Sequence, residues 1–467
     1  MPADAWTRPV LSFVVAAVAA IGGRLAGAQA APPAARPAFE SVRYREDWSR
    51  APQGDPLDPL KHVRLWGDDA WLSVGGHLRA RAERDDNFLG GGAGTRTDNF
   101  GLLRLHLHAD VHLAPHLRAF VEGRIATARG RDLPGGIRAT DRDDADVENA
   151  FVEVGGWEAG GAAWGVRVGR QELLFGRERV LSPLDWVNAR RTFQGAVVEG
   201  RGGAWTWTVL AVHPVTIVPA GMNVPDVHAA LWGAQVAWTR EAGALSELYL
   251  LGKGTDAAGA TPAAQRVTLG VRTLGRIGTT RLSYELEGGV QGGAAGNVAV
   301  QAWMLASDLT ATWGGAHAPA LTVGADWASG SGAGQGAQGG TWDQLYPLAH
   351  AFLGFADVLG RRNVVEERVV AQWSATASVR LRASVHAFQR ASDADAAYDV
   401  TGAVYRASVP GAPRDLGGEA DLTAGWRLGR HLRLDGGIAR FTPGGFLAAT
   451  GAALPYTWGF AAVTATF

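Results

Sequence analysis

From about residue 71 to the C-terminus, apolar and polar residues alternate along the chain with a period of two. The clearest stretch is Leu103-Arg104-Leu105-His106-Leu107-His108-Ala109-Asp110-Val111-His112. Successive side chains of a strand point to opposite faces, so one face here is Leu, Leu, Leu, Ala, Val and the other Arg, His, His, Asp, His. A soluble sheet and a membrane barrel both give this pattern, and alternation alone does not say which face is wet.

Repetition carries the argument further. The same period recurs near 73–84, 101–112, 117–127, 147–154, 164–171, 194–200, 204–213, 229–239 and 244–252. It continues near 265–275, 280–291, 298–313, 319–328, 364–376, 379–390, 418–428, 431–441 and 456–467. These eighteen segments are mostly close to the ~9–11 residues that a tilted strand needs to cross a bilayer. The links between them are sorted. Long ones (85–100, 128–146, 172–193, 329–363, 391–417) alternate with short ones (113–116, 201–203, 240–243, 276–279, 429–430). Long loops at one end and short periplasmic turns at the other are the signature of an outer-membrane barrel. The predicted fold class is therefore all-β: a transmembrane antiparallel β-barrel of about 18 strands.

Composition agrees. Sixty-four glycines, 18 tryptophans and three methionines suit a helical protein poorly, and no stretch past the N-terminus is long and apolar enough for a membrane helix. Only a closed barrel then satisfies every backbone group in lipid. With no cysteine, stability must come from complete strand pairing rather than disulfides. Trp164, Trp205, Trp232, Trp238, Trp313, Trp327, Trp426 and Trp458 fall near predicted strand ends, where interfacial girdles sit. The terminal Phe467, preceded by small or apolar residues at alternate positions, resembles the signal read by the barrel-assembly machinery.

At the N-terminus, Arg8 precedes the apolar run 10–21, and Ala28-Gln29-Ala30 reads as a signal-peptidase site. An uncleaved anchor is the rival, but the run is short for a span of about 20 residues. The expected organisation is a signal peptide over 1–30, a Pro-rich and charged periplasmic lead-in over 31–70, and the barrel over 71–467. The destination is the bacterial outer membrane, with its lipid as one partner.

Net charge is only −1, but the basic residues are lopsided: of 44, only Lys61 and Lys253 are lysine. Eighteen strands leave an aqueous channel. Candidate lumen residues are Arg79, Arg81 and Glu83 on the first strand, Arg104 on the second, and Arg118, Glu122 and Arg124 on the third. Glu153, Arg167, Arg272, Glu285, Glu287, Asp326, Arg380 and Arg382 follow. A mixed-charge wall of a general porin accounts for these residues; so does an anion path, because guanidiniums stay charged and pair with carboxylates. His106, His108 and His112 share a face but read better as pore lining than as a metal site. Residues 330–336 are low-complexity loop, not a phosphate cradle. No cofactor, metal or nucleic acid is expected, and no catalytic triad pattern is present.

Two stretches are more specific. Val168-Gly169-Arg170-Gln171-Glu172-Leu173-Leu174-Phe175-Gly176-Arg177-Glu178-Arg179 is followed by Trp186-Val187-Asn188-Ala189-Arg190-Arg191-Thr192-Phe193. The second runs from Trp342-Asp343-Gln344-Leu345-Tyr346-Pro347 through Phe355-Ala356-Asp357. With the opening from Trp71 to Glu83, they resemble the alginate export porin family over about 63–467. The resemblance implies an eighteen-stranded barrel passing a linear polyuronate through an arginine-lined constriction. By that resemblance Arg79, Arg81, Arg104, Arg124, Arg170, Arg179 and Arg191 would contact carboxylates, with Glu153 and Asp326 holding guanidiniums in place. Arg170, Gln171 and Trp186 would otherwise only fold an inward loop. Gln194 stands where family members often carry Asp.

The function expected is passive export of an anionic polysaccharide, with possible periplasmic export partners. The alternative is a general porin or an uptake porin for a small anionic solute or oligosaccharide. A barrel lipase or protease lacks its catalytic grouping here, and an adhesive barrel would leave the arginines without a purpose.

Overall fold

The computed structural model describes residues 36–467 apart from 68, 92–96, 133–134, 160, 241–242, 260–261 and 337. The expected signal peptide lies outside the described residues. Each of the eighteen predicted segments forms a strand. They are β1 (Trp71–Asp86), β2 (Thr97–Ala114), β3 (Leu117–Arg129), β4 (Asp143–Ala159), β5 (Ala162–Gln171) and β6 (Phe193–Gly202). Next come β7 (Trp205–Thr216), β8 (Ala229–Thr239), β9 (Leu245–Thr255), β10 (Ala264–Arg276), β11 (Leu282–Ala295) and β12 (Val298–Thr312). The last are β13 (Ala320–Ala328), β14 (Val364–Ser374), β15 (Val379–Gln389), β16 (Asp415–Leu428), β17 (Leu432–Pro443) and β18 (Tyr456–Thr466).

Each strand pairs antiparallel with the next, and β18 closes on β1 with Arg79 opposite Thr464 and Arg81 opposite Ala462. Closure removes the sheet edge, which a bilayer would not tolerate. One end carries the connections 115–116, 203–204, 240–244, 277–281, 313–319, 375–378 and 429–431. The other carries 130–142, 172–192, 217–228, 329–363, 390–414 and 444–455. At that second end 296–297 departs from the rule: Gly296, with φ +58°, makes a tight turn there. Several strands run past the predicted bounds at the long-loop end, as β2 does from Thr97 and β4 from Asp143. Outward residues there, such as Thr97 and Asn99, are polar, so the alternation that marks a strand in sequence fades although pairing continues.

The apolar rows face outward: Leu107, Val121, Val168, Val290 and Val385 are about half exposed, while their strand neighbours are turned inward. Trp205 stacks on Trp238 at 5.4 Å near the short-turn end, and Trp303 lies 5.2 Å from Trp327 near the other. Trp458 leaves the expected girdle: it sits on the inward row of β18, buried, with Nε1 donating to Glu83 Oε2 at 2.9 Å.

The inward rows correct a second expectation. In the short-turn half they are polar, but in the long-loop half Phe193, Val197, Leu210, Leu231, Leu251 and Met304 face inward and are buried. They pack with Leu181 and Phe175 of loop 172–192 and with Trp342, Phe352 and Leu353 of loop 329–363 in one apolar cluster. Two loops folded into the lumen need an apolar wall to pack on, so this half is a core rather than an open channel. Among the described residues no helix is long and apolar enough to cross a membrane.

Candidate functional site

The two inward loops are one structure. Leu181 bridges Tyr346, Tyr346 N–H donates to Val180 O at 3.0 Å, and Leu348 N–H donates to Glu178 O at 2.9 Å. His350 stacks flat on Trp186 at 3.9 Å. Gly354 has φ +86°, and a side chain there would also meet the Glu419 carboxylate, whose Oε1 accepts the Ala356 N–H at 2.8 Å.

Loop 172–192 is held to the wall from two sides. On one, Arg79 donates to the carbonyls of Asp185, Trp186 and Val187 at 2.9–3.2 Å. Arg104 donates to the carbonyls of Asp185 and Val187 and to Asp185 Oδ1 at 2.8 Å. Arg81 donates to Trp186 O at 2.7 Å, lies over that indole at 4.2 Å, and pairs with Glu83 at 2.7 Å. On the other side Arg179 reaches Glu285, Glu287 and Asp308 at 2.8–3.3 Å. Arg361 of the second loop pairs with Asp326 at 2.5 Å, and Arg368 joins Asp326 to Asp308 and Glu366.

Residues 39–48, expected in a periplasmic lead-in, instead enter the lumen. Tyr44 packs on Phe120 and Phe151, and its hydroxyl donates to Glu172 O. Arg190 binds Ser41 O at 2.9 Å and Glu172 at 2.7 Å. Arg43 donates to the carbonyl of Phe467 at 2.8 Å, tying the segment to the closing seam.

Beneath the loops, toward the short-turn end, lies a cavity of about 960 Å³. Its roof is Asp185, Trp186, His350 and Phe355; its mouth is framed by Phe39, Ala318, Arg430 and His431. Ten arginines line it against four carboxylates, Glu40, Glu178, Asp185 and Asp435. Arg43, Arg190, Arg427, Arg430 and Arg433 in this set were not singled out as pore lining from sequence. Arg427, Arg430 and Arg433 stand at or beside the turn 429–431, where alternation carries no signal.

The sequence candidates divide by place. Arg79, Arg81 and Arg104 reach the cavity but spend their donors on loop carbonyls. Arg380 and Arg382 line the opposite wall: neither has an ion-pair or hydrogen-bond partner among the described residues, and Arg382 lies over Phe355 at 4.7 Å. The remaining candidates do not line this cavity. Arg124 is buried against Asp143 and Glu148. Glu153 pairs with Arg167 at 3.3 Å, and Gln171 is buried with Oε1 accepting from Arg167 Nε at 2.6 Å. Arg170 and Gln171 cannot share a face: Arg170 continues the outward row of Val166 and Val168, and there binds Asp146 and Asn223 O. Asp326 holds Arg361 and Arg368, and Arg191 contacts Ser182 O and lies over Tyr346 at 5.4 Å. Of the histidines, His106 bonds Glu122 at 3.1 Å and His108 stacks on Phe120. Among the described residues no group of His, Asp and Glu has metal-site geometry.

Burial drives Arg191 down to about 10. For Asp185, burial opposes the charge, but Arg190, Arg104 and Arg79 outweigh it and hold the carboxyl well below the usual range. Asp343 behaves alike: burial raises it, but Lys253 at 2.9 Å and Arg362 push it down to about 2. A depressed carboxyl contributes stability that is full above its unfolded value, about 4, and lost as pH falls toward the folded value. Open-channel current noise is therefore expected to stay flat from pH 7 to about 4 and to rise below about 3. A rise already between pH 6 and 5 would assign loop docking to another group.

The sequence profile of the alginate export family matches residues 70–460. The chain belongs to the alginate export family. Comparison with curated proteins finds no match. Solved structures similar in fold include a BenF-like porin from Pseudomonas fluorescens Pf-5, with TM-score 0.58, 8% identity, and coverage of 85% of this chain and 98% of that one. Pseudomonas aeruginosa OccK2 (OpdF), in complex with glucuronate, gives 0.55, 11%, 84% and 98%. OccK11 (OpdR) of the same organism gives 0.54, 11%, 85% and 96%. Identities this low speak to fold alone. As a member of the alginate export family with a porin fold, the chain is a passive outer-membrane channel.

Proposed function

We propose that this channel exports an anionic polysaccharide of the alginate type, a linear polyuronate, from periplasm to cell surface. The observation that carries the reading is the excess of arginine in the cavity at the short-turn, periplasmic end, where Arg380 and Arg382 make no ion pair with a carboxylate among the described residues. A polyuronate brings a carboxylate on every sugar, and unpaired guanidiniums offer weak, repeated sites that bind and release. Uptake of small uronates is the second reading. It is favoured by the two inward loops sharing one apolar core, which leaves little width for a polymer.

Single-channel recording in a planar bilayer under a salt gradient tests both. The expected result is an anion-selective reversal potential, with block by polyuronate added at the short-turn side and none by neutral glucan. Arg380→Ala with Arg382→Ala weakens that block about tenfold, the scale of losing one or two charge-assisted hydrogen bonds. Block by glucuronate and not by the polymer favours uptake. A channel without ion preference or block removes both readings.

A further inference from the structure

The seam between β18 and β1 does not cover the whole of β1. Pairing runs from Asp86 to His77, and Phe467 then exchanges both backbone bonds with Gly76 at 3.0 Å. Residues 71–75 extend past it at the short-turn end, with β2 still paired along their other side. Backbone groups of alternate residues point to opposite sides of a strand, so Leu72 and Val74 direct theirs away from β2, as Gly76 does. An uncovered strand edge is where a sheet opens or takes on a foreign strand. Residues 41–64 of the same chain cover it. Val63 and Arg64 pair with Leu72 and Trp71, and the Lys61 ammonium donates to Val74 O at 2.9 Å. Lys61, one of only two lysines, is 2% exposed, with Nζ 4.9 Å from the Trp48 ring and 5.8 Å from the Phe467 ring. Gly75 makes room for it: a Cβ there would lie 2.6 Å from Nζ.

The same segment grips both sides of the seam. Toward β18, Arg43 donates to Phe467 O at 2.8 Å and is braced by Glu46 at 2.8 Å. Asp55 meets His431 Nε2 at 2.6 Å, and Nδ1 of that ring meets Thr466 O at 2.6 Å. On the far side of β1, Arg118 of β3 donates to Tyr44 O at 2.6 Å, and the Tyr44 ring packs on Phe120 of β3 and Phe151 of β4. We propose that residues 41–64 are a strap that latches the barrel: they hold the β18–β1 seam shut, and their undocking is the first step by which the barrel opens. Each other pair of neighbouring strands is joined by a connection of its own, whereas β18 and β1 are brought together only by closure of the whole chain, so opening there releases the most conformational entropy. Arg43 and Lys61 oppose that opening with charge-assisted bonds to one backbone carbonyl on each side of the seam, Phe467 O and Val74 O, and such bonds are about twice as strong as neutral ones. The latch is independent of what the channel carries.

The chain has no cysteine, so the seam can be locked covalently without interference. Ala82 and Ala461 lie opposite each other on the lipid face, both exposed, in a register where Cα atoms are about 5.5 Å apart and a disulfide can form. The test is the rate of unfolding in urea, followed by tryptophan fluorescence, of the refolded barrel carrying A82C/A461C with and without R43A/K61A, each reduced and oxidised. In the reduced state the strap variant is expected to unfold at least about tenfold faster than its parent, because two charge-assisted bonds are gone. In the oxidised state the two are expected to unfold at the same rate, since a locked seam no longer needs its latch. If the strap stabilised the barrel elsewhere, the variant would unfold faster by the same factor whether the seam is locked or free. That result overturns the proposal, and so does an unchanged rate in the reduced state. Should R43A/K61A fail to fold, Lys61→Met, which keeps an apolar stem beside Trp48, takes its place with the same outcomes.

Discussion

Replacing Arg79 and Arg104 together by alanine is expected to raise single-channel conductance at least about twofold and to make the open current noisy. Each of the six hydrogen bonds these side chains make ends on residues 185–187, at the tip of the inward loop above the cavity. Hydrogen bonds from charged donors contribute about 1.5–3 kcal/mol each, so the pair supplies much of what keeps the tip against the wall. Arg81 retains one bond to Trp186 O and the His350 ring remains stacked on the indole, so the loop loosens rather than unfolds. The variant also removes two cations, and that effect separates cleanly: lost charge lowers anion selectivity in the reversal potential, whereas a freed loop raises conductance. If conductance and noise stay at wild-type values, the apolar cluster alone positions the loop and the arginines serve the permeant instead.

The second large effect is on stability. Arg361 and Asp326 are both buried; two nitrogens of the guanidinium meet Asp326 Oδ2 at 2.5 and 3.0 Å, and its Nη1 lies 3.5 Å from Arg179 O. Arg361→Ala leaves Asp326 with Arg368 as its one direct ion-pair partner among the described residues, a guanidinium it shares with Asp308 and Glu366, and with Arg179 farther off. Breaking a buried pair by removing one partner costs about 3–5 kcal/mol, because the surviving charge stays out of water. The expected readout is a clear fall in the urea midpoint for loss of heat-modifiable migration. Arg361→Lys recovers less than half, since an ammonium cannot reproduce the two-nitrogen grip. An unchanged midpoint would mean that Asp326 is neutral in the folded barrel or wetter than its surroundings indicate.

Both effects concern loops, and loops are where sequence and structure part. The sequence by itself determined the strands, because lipid outside and water or protein inside force an alternation that every strand displays locally: Leu103 to His112 announces both its conformation and its two faces. It also determined the parity that puts Arg79, Arg81, Arg104, Arg380 and Arg382 inward, and the same parity, applied to Arg170 beside Val168, would have turned that side chain outward. What the tertiary structure alone decided is the interior. Leu181 meets Tyr346, and Arg361 meets Asp326, across stretches of chain with no period to link them. Inward Phe193, Val197 and Leu210 read as interruptions of a polar face until two loops arrive to pack on them. Periodicity is a property of neighbours along a strand; which guanidinium is used up by a loop carbonyl and which stays free is a property of contacts between distant segments, and so only the fold assigns it.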